Sequence, residues 1–276
     1  MPELPEVETI KEAMRCAIEG ARVISVVVFQ RRLRTTIPDE FENIVCGAKI
    51  LRIYRVAKYA IMQLDNGYSV IWHFGMSGKI KFYPETNPKC EKHDHVVLKT
   101  SKGTLVYHDP RRFGLVTVSR SEELEESALF NHLGIDPFSP KLTVEYLARL
   151  LRNKKTPIKQ ALLDQSIVCG IGNIYASEAL YKSGISPLRN SSSLKKTEIN
   201  RLIIAIRGVL QDAIQAGGST LHDYRKPDGS TGYFQLQHAV YGRDGQCCPN
   251  CVCGKNNITK IFQAGRSTYY CPHRQK

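Results

Sequence analysis

The chain of 276 residues carries 39 Lys and Arg against 26 Asp and Glu, a formal net charge of +13. Its hydrophobic content of 42% and charged content of 24% are typical of a globular protein that can hold two modest domains. The positive charge favours a polyanionic partner, most simply a nucleic acid, because each neutralised phosphate releases counterions. No stretch approaches a membrane span and the acidic N-terminus lacks a signal peptide, so we expect a cytoplasmic protein.

The first ten residues combine two prolines with three glutamates. Pro5 fits the first position of a helix, and apolar residues then recur at helical spacing, at Val7, Ile10, Met14 and Ile18. Removal of Met1 would expose Pro2, whose α-amino group titrates near ~8 and could act as a nucleophile. Glu3 could move protons beside it. The residues alone leave two interpretations open, a well-formed helix start and a catalytic secondary amine.

The segments that follow are rich in Val, Ile and Tyr and predict antiparallel strands. The turn Asp65-Asn66-Gly67 predicts a hairpin. The predicted strands are 22–29, 48–56, 58–64, 68–74, 95–100 and 104–108. Because no helical segment separates them, we expect an antiparallel β-sandwich with the opening helix alongside, and not βαβ units.

Five residues in this half are candidates for a site. Met76, Arg111 and Phe113 lie in predicted loops, where they are either core residues or fillers of the gap that an extruded base leaves in a duplex. Lys58 heads a strand, where most lysines are simply solvated. His93 is a possible metal ligand by type, although no cysteine cluster lies near it in the sequence.

From about Leu124 the pattern changes to helices. Thr143 is a predicted cap, and Thr156-Pro157 predicts a cap followed by a proline in the first turn. Gly184 and Pro187 should end a helix over 174–180, and an amphipathic helix over 197–215 should end at Gly217-Gly218. The glycine-rich stretch 217–237 is long for a loop, so we expect it to be functional and poorly ordered without a ligand.

The opening stretch and four further blocks resemble the bacterial formamidopyrimidine-DNA glycosylases over the whole chain. The blocks are Met1 to Thr9, His73-Phe74-Gly75-Met76-Ser77-Gly78, Asp109-Pro110-Arg111-Arg112-Phe113-Gly114, Gly170-Ile171-Gly172-Asn173-Ile174-Tyr175-Ala176-Ser177-Glu178 and Gly265-Arg266-Ser267-Thr268. The related endonuclease VIII group typically has Gly where this chain has Leu4, which favours the first group.

The resemblance implies a bifunctional enzyme that flips out oxidised purines from double-stranded DNA, removes them through a Schiff base at Pro2 and cuts the strand by β,δ-elimination. It implies catalytic roles for Pro2, Glu3, Lys58 and Arg266. It implies DNA contacts by His93, Arg111, Lys154, Asn173, Met76 and Phe113, with Gly170 to Asn173 in a helix-two-turn-helix element. No nucleotide cofactor is implied, and we expect a monomer.

Five of the nine cysteines fall between Cys247 and Cys271, which in a reducing compartment indicates a metal site. The resemblance implies a structural zinc finger held by two cysteine pairs, but Arg274 stands where the fourth cysteine is expected. His273 could complete the site, three early cysteines could join Cys271, or the metal could be lost. We choose Cys248, Cys253, Cys271 and His273, with Cys251 as the alternate and one zinc ion.

These expectations give an α+β protein in three parts. They are a catalytic β-sandwich over 1–123, a helical DNA-binding domain with a lesion-covering loop over 124–236, and a zinc-finger hairpin over 237–276. Two alternatives share much of the sequence pattern. One is an endonuclease VIII-like enzyme for oxidised pyrimidines, and the other is a zinc-ribbon protein that binds nucleic acid without catalysis.

Overall fold

The computed structural model describes residues 2–84, 88–219, 233–249 and 257–276. The chain forms two compact units. The N-terminal unit comprises Met1–Asn131 and Ala216–Tyr233, and the C-terminal unit comprises His132–Gln215 and Phe234–Lys276. No helix within the described residues is long and apolar enough to cross a bilayer. The expectation of a poorly ordered loop at 217–237 falls mainly on 220–232, outside the described residues.

Two four-stranded antiparallel sheets build the N-terminal unit, in the orders β1-β6-β7-β5 and β2-β3-β4-β8. Their strands are β1 Val23–Val28, β2 Ile50–Val56, β3 Tyr59–Leu64, β4 Tyr68–His73, β5 Lys79–Tyr83, β6 Asp94–Thr100, β7 Gly103–His108 and β8 Leu115–Arg120. The turn Asp65-Asn66-Gly67 joins β3 to β4 as predicted, with Gln63 opposite Ser69. The predicted β-sandwich is therefore present.

Helix α1, Leu4–Ile18, contacts β2, β3 and β5 and closes this core. Its apolar side chains at the predicted spacing are fully buried, at Val7, Ile10, Met14 and Ile18. They join the buried side chains of both sheets in one cluster, which includes Trp72 and Phe41. A short helix α2, Phe41–Val45, packs against β1. The start of α1, where the candidate nucleophile lies, is thus anchored by the largest apolar cluster of the unit.

The C-terminal unit contains four α-helices in its described residues. They are α3 Val144–Leu151, α4 Ile158–Leu163, α5 Asn173–Ser183 and α6 Lys196–Gln215. Thr143 caps α3 as predicted, because its hydroxyl accepts the Tyr146 N–H at 3.1 Å. Gly184 ends α5 in the left-handed conformation, with φ of 73°. Helix α5 contacts α4 and α6, so it is the centre of this unit.

One predicted helix start is wrong by a residue. The sequence predicts Pro157 inside the first turn of α4, but it occupies the cap position with an extended ψ of 142°, and the helix begins at Ile158. The reason is a long-range contact, since the Ile158 N–H donates to the Arg189 carbonyl at 2.8 Å. Capping positions inferred from sequence alone carry this uncertainty of a residue.

A hairpin of β9, Thr259–Gln263, and β10, Arg266–Tyr270, packs against α5 through β10. The chain end is fixed to the same helix, because the Lys276 N–H donates to the Gly184 carbonyl at 3.1 Å. The buried Gln275 amide donates to the Ile185 carbonyl at 2.9 Å. With the sandwich, the helices and this hairpin, the predicted α+β class is confirmed, whereas the domain limits at 123/124 and 236/237 stay a prediction.

Candidate active site and nucleic-acid interface

The start of α1 carries the candidate nucleophile. Pro2 and Glu3 are both buried and directly precede the helix. The carboxylate of the buried Glu6 accepts the Glu3 N–H through Oε2 and the Ser219 N–H through Oε1, both at 2.8 Å. One side chain therefore fixes the first residues of the chain and also binds a residue more than 200 positions away.

The candidate lysine lies in the tight turn between β2 and β3. Lys58 is 8% exposed, and the preceding Ala57 has a left-handed φ of 50°, which is unfavourable for a residue with a side chain. Arg55 supports this turn, since its guanidinium donates to the Ala57 carbonyl at 2.9 Å and to Glu8 of α1 at 2.8 Å. The turn that presents Lys58 is thus tied to the helix that presents Pro2.

His73 is a neighbour of Lys58 that the sequence did not single out as a site residue. Burial, then the positive charges of Arg34 and Lys58, lower the pKa of His73 to about 4. Its ring packs against Tyr59 with 4.9 Å between centroids, and its Nδ1 accepts the Gly75 N–H at 3.1 Å. At neutral pH His73 is therefore an uncharged imidazole beside the candidate lysine. His73 begins one of the blocks that carry the family resemblance, but the sequence did not show that its ring would be buried beside Lys58.

The three predicted wedge residues lie on two loops. Met76 follows β4 and is 40% exposed, and Phe113 lies between β7 and β8 and is 48% exposed. The Arg111 guanidinium stacks over the Phe113 ring at 4.9 Å. The two loops touch, because a Cβ on Gly75 would lie only 2.4 Å from the Phe113 carbonyl carbon. The structure therefore brings two exposed apolar side chains and an arginine onto adjoining loops.

His93 lies beside this region, half-buried, with 5.9 Å between its ring and that of His108. Within the described residues, one trio of potential metal ligands brings its atoms within 4.8 Å of one another, namely Glu91, Asp94 and His108. Lys81 donates to both carboxylates of that trio, at 2.8 and 3.1 Å. The ammonium takes the place that a cation would need, so this is an ion-pair network beside His93.

In the C-terminal unit the residues predicted to contact DNA differ in exposure and in their hydrogen-bond partners. Lys154 is partly exposed and pairs with Asp164 at 3.1 Å. Asn173 begins α5, but its amide donates to the Ser267 carbonyl at 2.9 Å and to the Tyr241 hydroxyl at 3.3 Å. Arg266 is exposed at the first position of β10. The structure thus directs the Asn173 side chain to the hairpin that carries Arg266.

A second group holds that hairpin, and sequence reasoning missed it. Lys159 is 1% exposed, and its ammonium donates to the Ser267 carbonyl at 3.0 Å and to the Thr268 hydroxyl at 2.7 Å. A lysine is almost never buried without such partners. Lys159 and Asn173 therefore bind the same carbonyl, directly after Arg266.

The predicted metal ligands are described only in part. Cys248 and Cys271 are buried in one apolar cluster with Tyr181 and Val240, while His273 is exposed. Cys251 and Cys253 lie outside the described residues. Two buried thiols at the base of the hairpin suit a structural zinc.

Arg274, at the expected fourth ligand position, has a role of its own. Its guanidinium stacks on the Tyr181 ring at 4.9 Å, and its Nε donates to the Tyr181 carbonyl at 3.4 Å. That carbonyl belongs to the last turn of α5, where a positive charge is favourable. Arginine here stabilises the end of a helix, at the position where the resemblance predicts a cysteine ligand.

Comparison with known proteins identifies this arrangement. The family model of the formamidopyrimidine-DNA glycosylase N-terminal domain matches residues 1–116, and that of the H2TH domain matches residues 133–225. A formamidopyrimidine-DNA glycosylase of Gluconobacter oxydans is 44% identical over the full length of both chains. The chain belongs to the formamidopyrimidine-DNA glycosylase family. It is therefore a DNA glycosylase of base-excision repair, and cleavage at abasic sites is standard for this family.

Solved structures of the family agree over nearly the whole chain. The complex of Lactococcus lactis Fpg with DNA containing an abasic site has a TM-score of 0.90 at 33% identity and covers 99% of each chain. The MutM (Fpg) protein of Thermus thermophilus has a TM-score of 0.85 at 38% identity, covering 99% of this chain and 98% of that one. The resemblance inferred from five sequence blocks is confirmed, and so is a helical H2TH domain.

Proposed function

We propose that this chain removes oxidised purines, such as 8-oxoguanine and formamidopyrimidines, through a Schiff base at Pro2 and then cleaves the strand by β,δ-elimination. The observation that carries the proposal is the start of α1, where Pro2 and Glu3 are buried and fixed by Glu6. A mutant of the related Lactococcus lactis enzyme was crystallised in complex with DNA containing Fapy-dG. This supports an oxidised purine as the substrate class of the present chain.

The chemistry begins after removal of Met1. The secondary amine of Pro2 attacks the anomeric carbon of the damaged nucleotide, the bond from sugar to base breaks, and the base leaves with the bonding electrons. Ring opening of the sugar gives an iminium ion, and Glu3 moves the protons that these steps require. The iminium makes the adjacent sugar proton acidic. Its removal expels the 3′ phosphate, and a second elimination expels the 5′ phosphate.

Lys58 and Arg266 are the cations proposed for the elimination steps. Lys58 projects from a turn tied to α1 through Arg55 and Glu8, so it is held in a fixed relation to Pro2. Neutral His73 adds no positive charge beside it. Arg266 is held by the hairpin contacts of Lys159 and Asn173. We propose phosphate contacts for both residues, as for His93 and Lys154.

Met76, Arg111 and Phe113 are proposed to fill the space that the flipped nucleotide vacates. Two exposed apolar side chains and a stacked arginine on adjoining loops are suited to this role. We propose that Asn173 also contacts a DNA phosphate, next to the hairpin that its amide binds. The partner is double-stranded damaged DNA, engaged by a monomer at the bacterial chromosome, and we propose no nucleotide cofactor.

One structural zinc is proposed for the C-terminal hairpin, held by Cys248, Cys253, Cys271 and His273, with Cys251 as the alternate. A bound zinc would crosslink the hairpin to the segment before it, while DNA chemistry would remain with Pro2. Zinc content should fall in the Cys253→Ser and His273→Ala variants and stay unchanged in Cys251→Ser. If His273→Ala keeps its zinc, this ligand set is wrong.

The decisive experiment is borohydride trapping on an abasic duplex. We expect a covalent adduct at the N-terminal peptide, its loss in Pro2→Gly, and a mature mass without Met1. A Glu145→Gln variant on the exposed side of α3 is a matched control that should trap normally. An adduct that survives chemical blocking of the N-terminus would contradict the proposal.

The same preparation separates the two alternatives. Faster release of thymine glycol than of 8-oxoguanine would indicate an endonuclease VIII-like specificity. A chain that binds DNA without forming any adduct would be a binding protein only.

A further inference from the structure

Asp109 stands at the centre of the two loops that carry Met76, Arg111 and Phe113. It is fully buried. Its Oδ1 accepts from the Ser77 hydroxyl at 2.6 Å and from the Arg111 N–H at 3.3 Å. Its Oδ2 accepts from the Gly114 N–H at 2.8 Å and from the Tyr107 hydroxyl at 3.2 Å. One carboxylate therefore accepts from Ser77 of the first loop, from two N–H groups of its own loop and from Tyr107 of β7.

The backbone of Asp109 extends this network to a third region. Its N–H donates to the His93 carbonyl at 3.0 Å, and its own carbonyl accepts from His95 Nε2 at 2.7 Å. The His95 ring is buried, so the tautomer with hydrogen on Nε2 satisfies this carbonyl. The segment that holds His93 is thus fixed by the same residue that fixes the two loops.

Glycines allow the loops to come this close. A Cβ on Gly114 would lie 1.7 Å from the Tyr107 hydroxyl, and a Cβ on Gly78 would lie 2.7 Å from it. Burial, then the charge of Asp109, raises the pKa of Tyr107 well above its usual value, so its hydroxyl remains a neutral donor. The space between the loops is filled by hydrogen-bonded groups with fixed geometry.

We propose that Asp109 is the positioning residue of this wedge, holding Met76, Arg111 and Phe113 in one relative arrangement so that they enter the duplex together. The inference rests on the proposed function, because it assumes that these three side chains fill the vacated space. Hydrogen bonds to a carboxylate are roughly twice as strong as neutral ones. Because four such hydrogen bonds already restrict the two loops, the loops should lose little conformational entropy when they enter DNA.

The test uses Asp109→Asn in the full-length chain. The amide keeps the shape, but its NH₂ group cannot accept the donors that one carboxylate oxygen binds now. In a duplex with 2-aminopurine next to the lesion, the fluorescence rise that reports unstacking should be at least tenfold slower than in the unchanged protein. Borohydride trapping on an abasic site in a single strand, which needs no wedge, should change less than twofold.

Glu178→Gln is the matched control. Glu178 is a buried carboxylate of the other unit, and it accepts three backbone N–H groups, from Ala239, Val240 and Tyr241. Glu178→Gln should reduce thermal stability as Asp109→Asn does, but it should not slow the fluorescence rise. Equal slowing in both variants would show that the effect is general destabilisation, and it would overturn the proposal.

Two more variants make the outcome unambiguous. Phe113→Ala tests the wedge itself. If Phe113→Ala slows unstacking while a folded Asp109→Asn does not, the positioning role is wrong. If Phe113→Ala has no effect, the proposed wedge is wrong.

Should Asp109→Asn fail to fold, the double variant Ser77→Ala with Tyr107→Phe removes two of the four donors and keeps the carboxylate. We expect it to slow unstacking at least threefold, and an unchanged rate would overturn the proposal.

Discussion

The two units fix their functional segments with buried charges of opposite sign. In the N-terminal unit Asp109 accepts hydrogen bonds from loops that two four-stranded sheets already bring close together. In the C-terminal unit Lys159 donates to Ser267 and Thr268 of a two-stranded hairpin. An isolated hairpin is marginally stable, whereas a larger sheet supports its own loops. A buried charge therefore matters more where the surrounding scaffold is smaller.

The largest effect is expected at Lys159. Lys159→Met keeps the apolar stem but removes the ammonium from the Ser267 carbonyl and the Thr268 hydroxyl, so the free energy of unfolding should fall by about 3 kcal/mol. Urea unfolding followed by circular dichroism measures this change. Lys182→Met is the control, since the Lys182 pair with Asp212 is half-exposed and should contribute less than about 0.5 kcal/mol. If both variants lose a similar amount of unfolding free energy, the buried Lys159 contributes no more than an exposed lysine, and the comparison of the two units is wrong.

Acid should destabilise both units to a similar extent. Burial first, with nearby cations, lowers the pKa of His73 in one unit and of His238 in the other to about 4, against 6.5 for an unburied histidine. Between these pH values the unfolded chain binds more protons, so stability is complete above pH 6.5 and falls as pH decreases towards 4. For each of these histidines, the free energy of unfolding should fall by about 2 kcal/mol between about pH 7 and about pH 5.

Unfolding at about pH 7, 6 and 5 measures this loss. His73→Gln should flatten the pH dependence of the N-terminal unit, and His238→Gln that of the C-terminal unit. Each substitution is also the control for the other, since it should leave the pH dependence of the other unit unchanged. If the stability of the protein still depends on pH after both buried histidines are replaced, other titratable groups cause that dependence.

The smallest effect is expected at Arg55, where a sheet already supports the turn. Arg55→Met removes the contacts with Ala57 and Glu8 and should cost about 1 kcal/mol. Strand cleavage at an abasic site should slow more than binding weakens, because the turn presents Lys58. Arg52→Met on the same strand is the control, since Arg52 is exposed and stacks on Tyr54. If the two variants cleave the strand at the same rate, the turn that Arg55 supports has no role in cleavage.

Local patterns predicted most of the fold. The apolar spacing of α1, the Asp65-Asn66-Gly67 turn, the Thr143 cap and the left-handed Gly184 each depend on residues a few positions apart. The start of α4 differs from its prediction because the Ile158 N–H binds Arg189, more than thirty residues later. Features fixed by distant partners leave no periodic signal in the sequence.

The site divides in the same way. The sequence placed Met76 and Phe113 in loops, where the structure also has them, whereas Lys58, predicted at the head of a strand, lies in the turn before β3. The groups that hold those residues could not be predicted, since Asp109 meets Ser77 across 32 positions and Lys159 meets Thr268 across 109. The hairpin contacts of Asn173 and the helix contact of Arg274 likewise depend on tertiary neighbours.

The hydrogen bond from the Ser219 N–H to Glu6 has a consequence for how the protein is made. A ribosome releases the first ten residues early, but the partner that completes their surroundings emerges only after α6 has been translated. The amino terminus therefore acquires its finished environment late in synthesis. A fragment that stops at Asn131 would contain the sandwich strands and still lack this closure, so we expect catalytic competence to require the continuous chain.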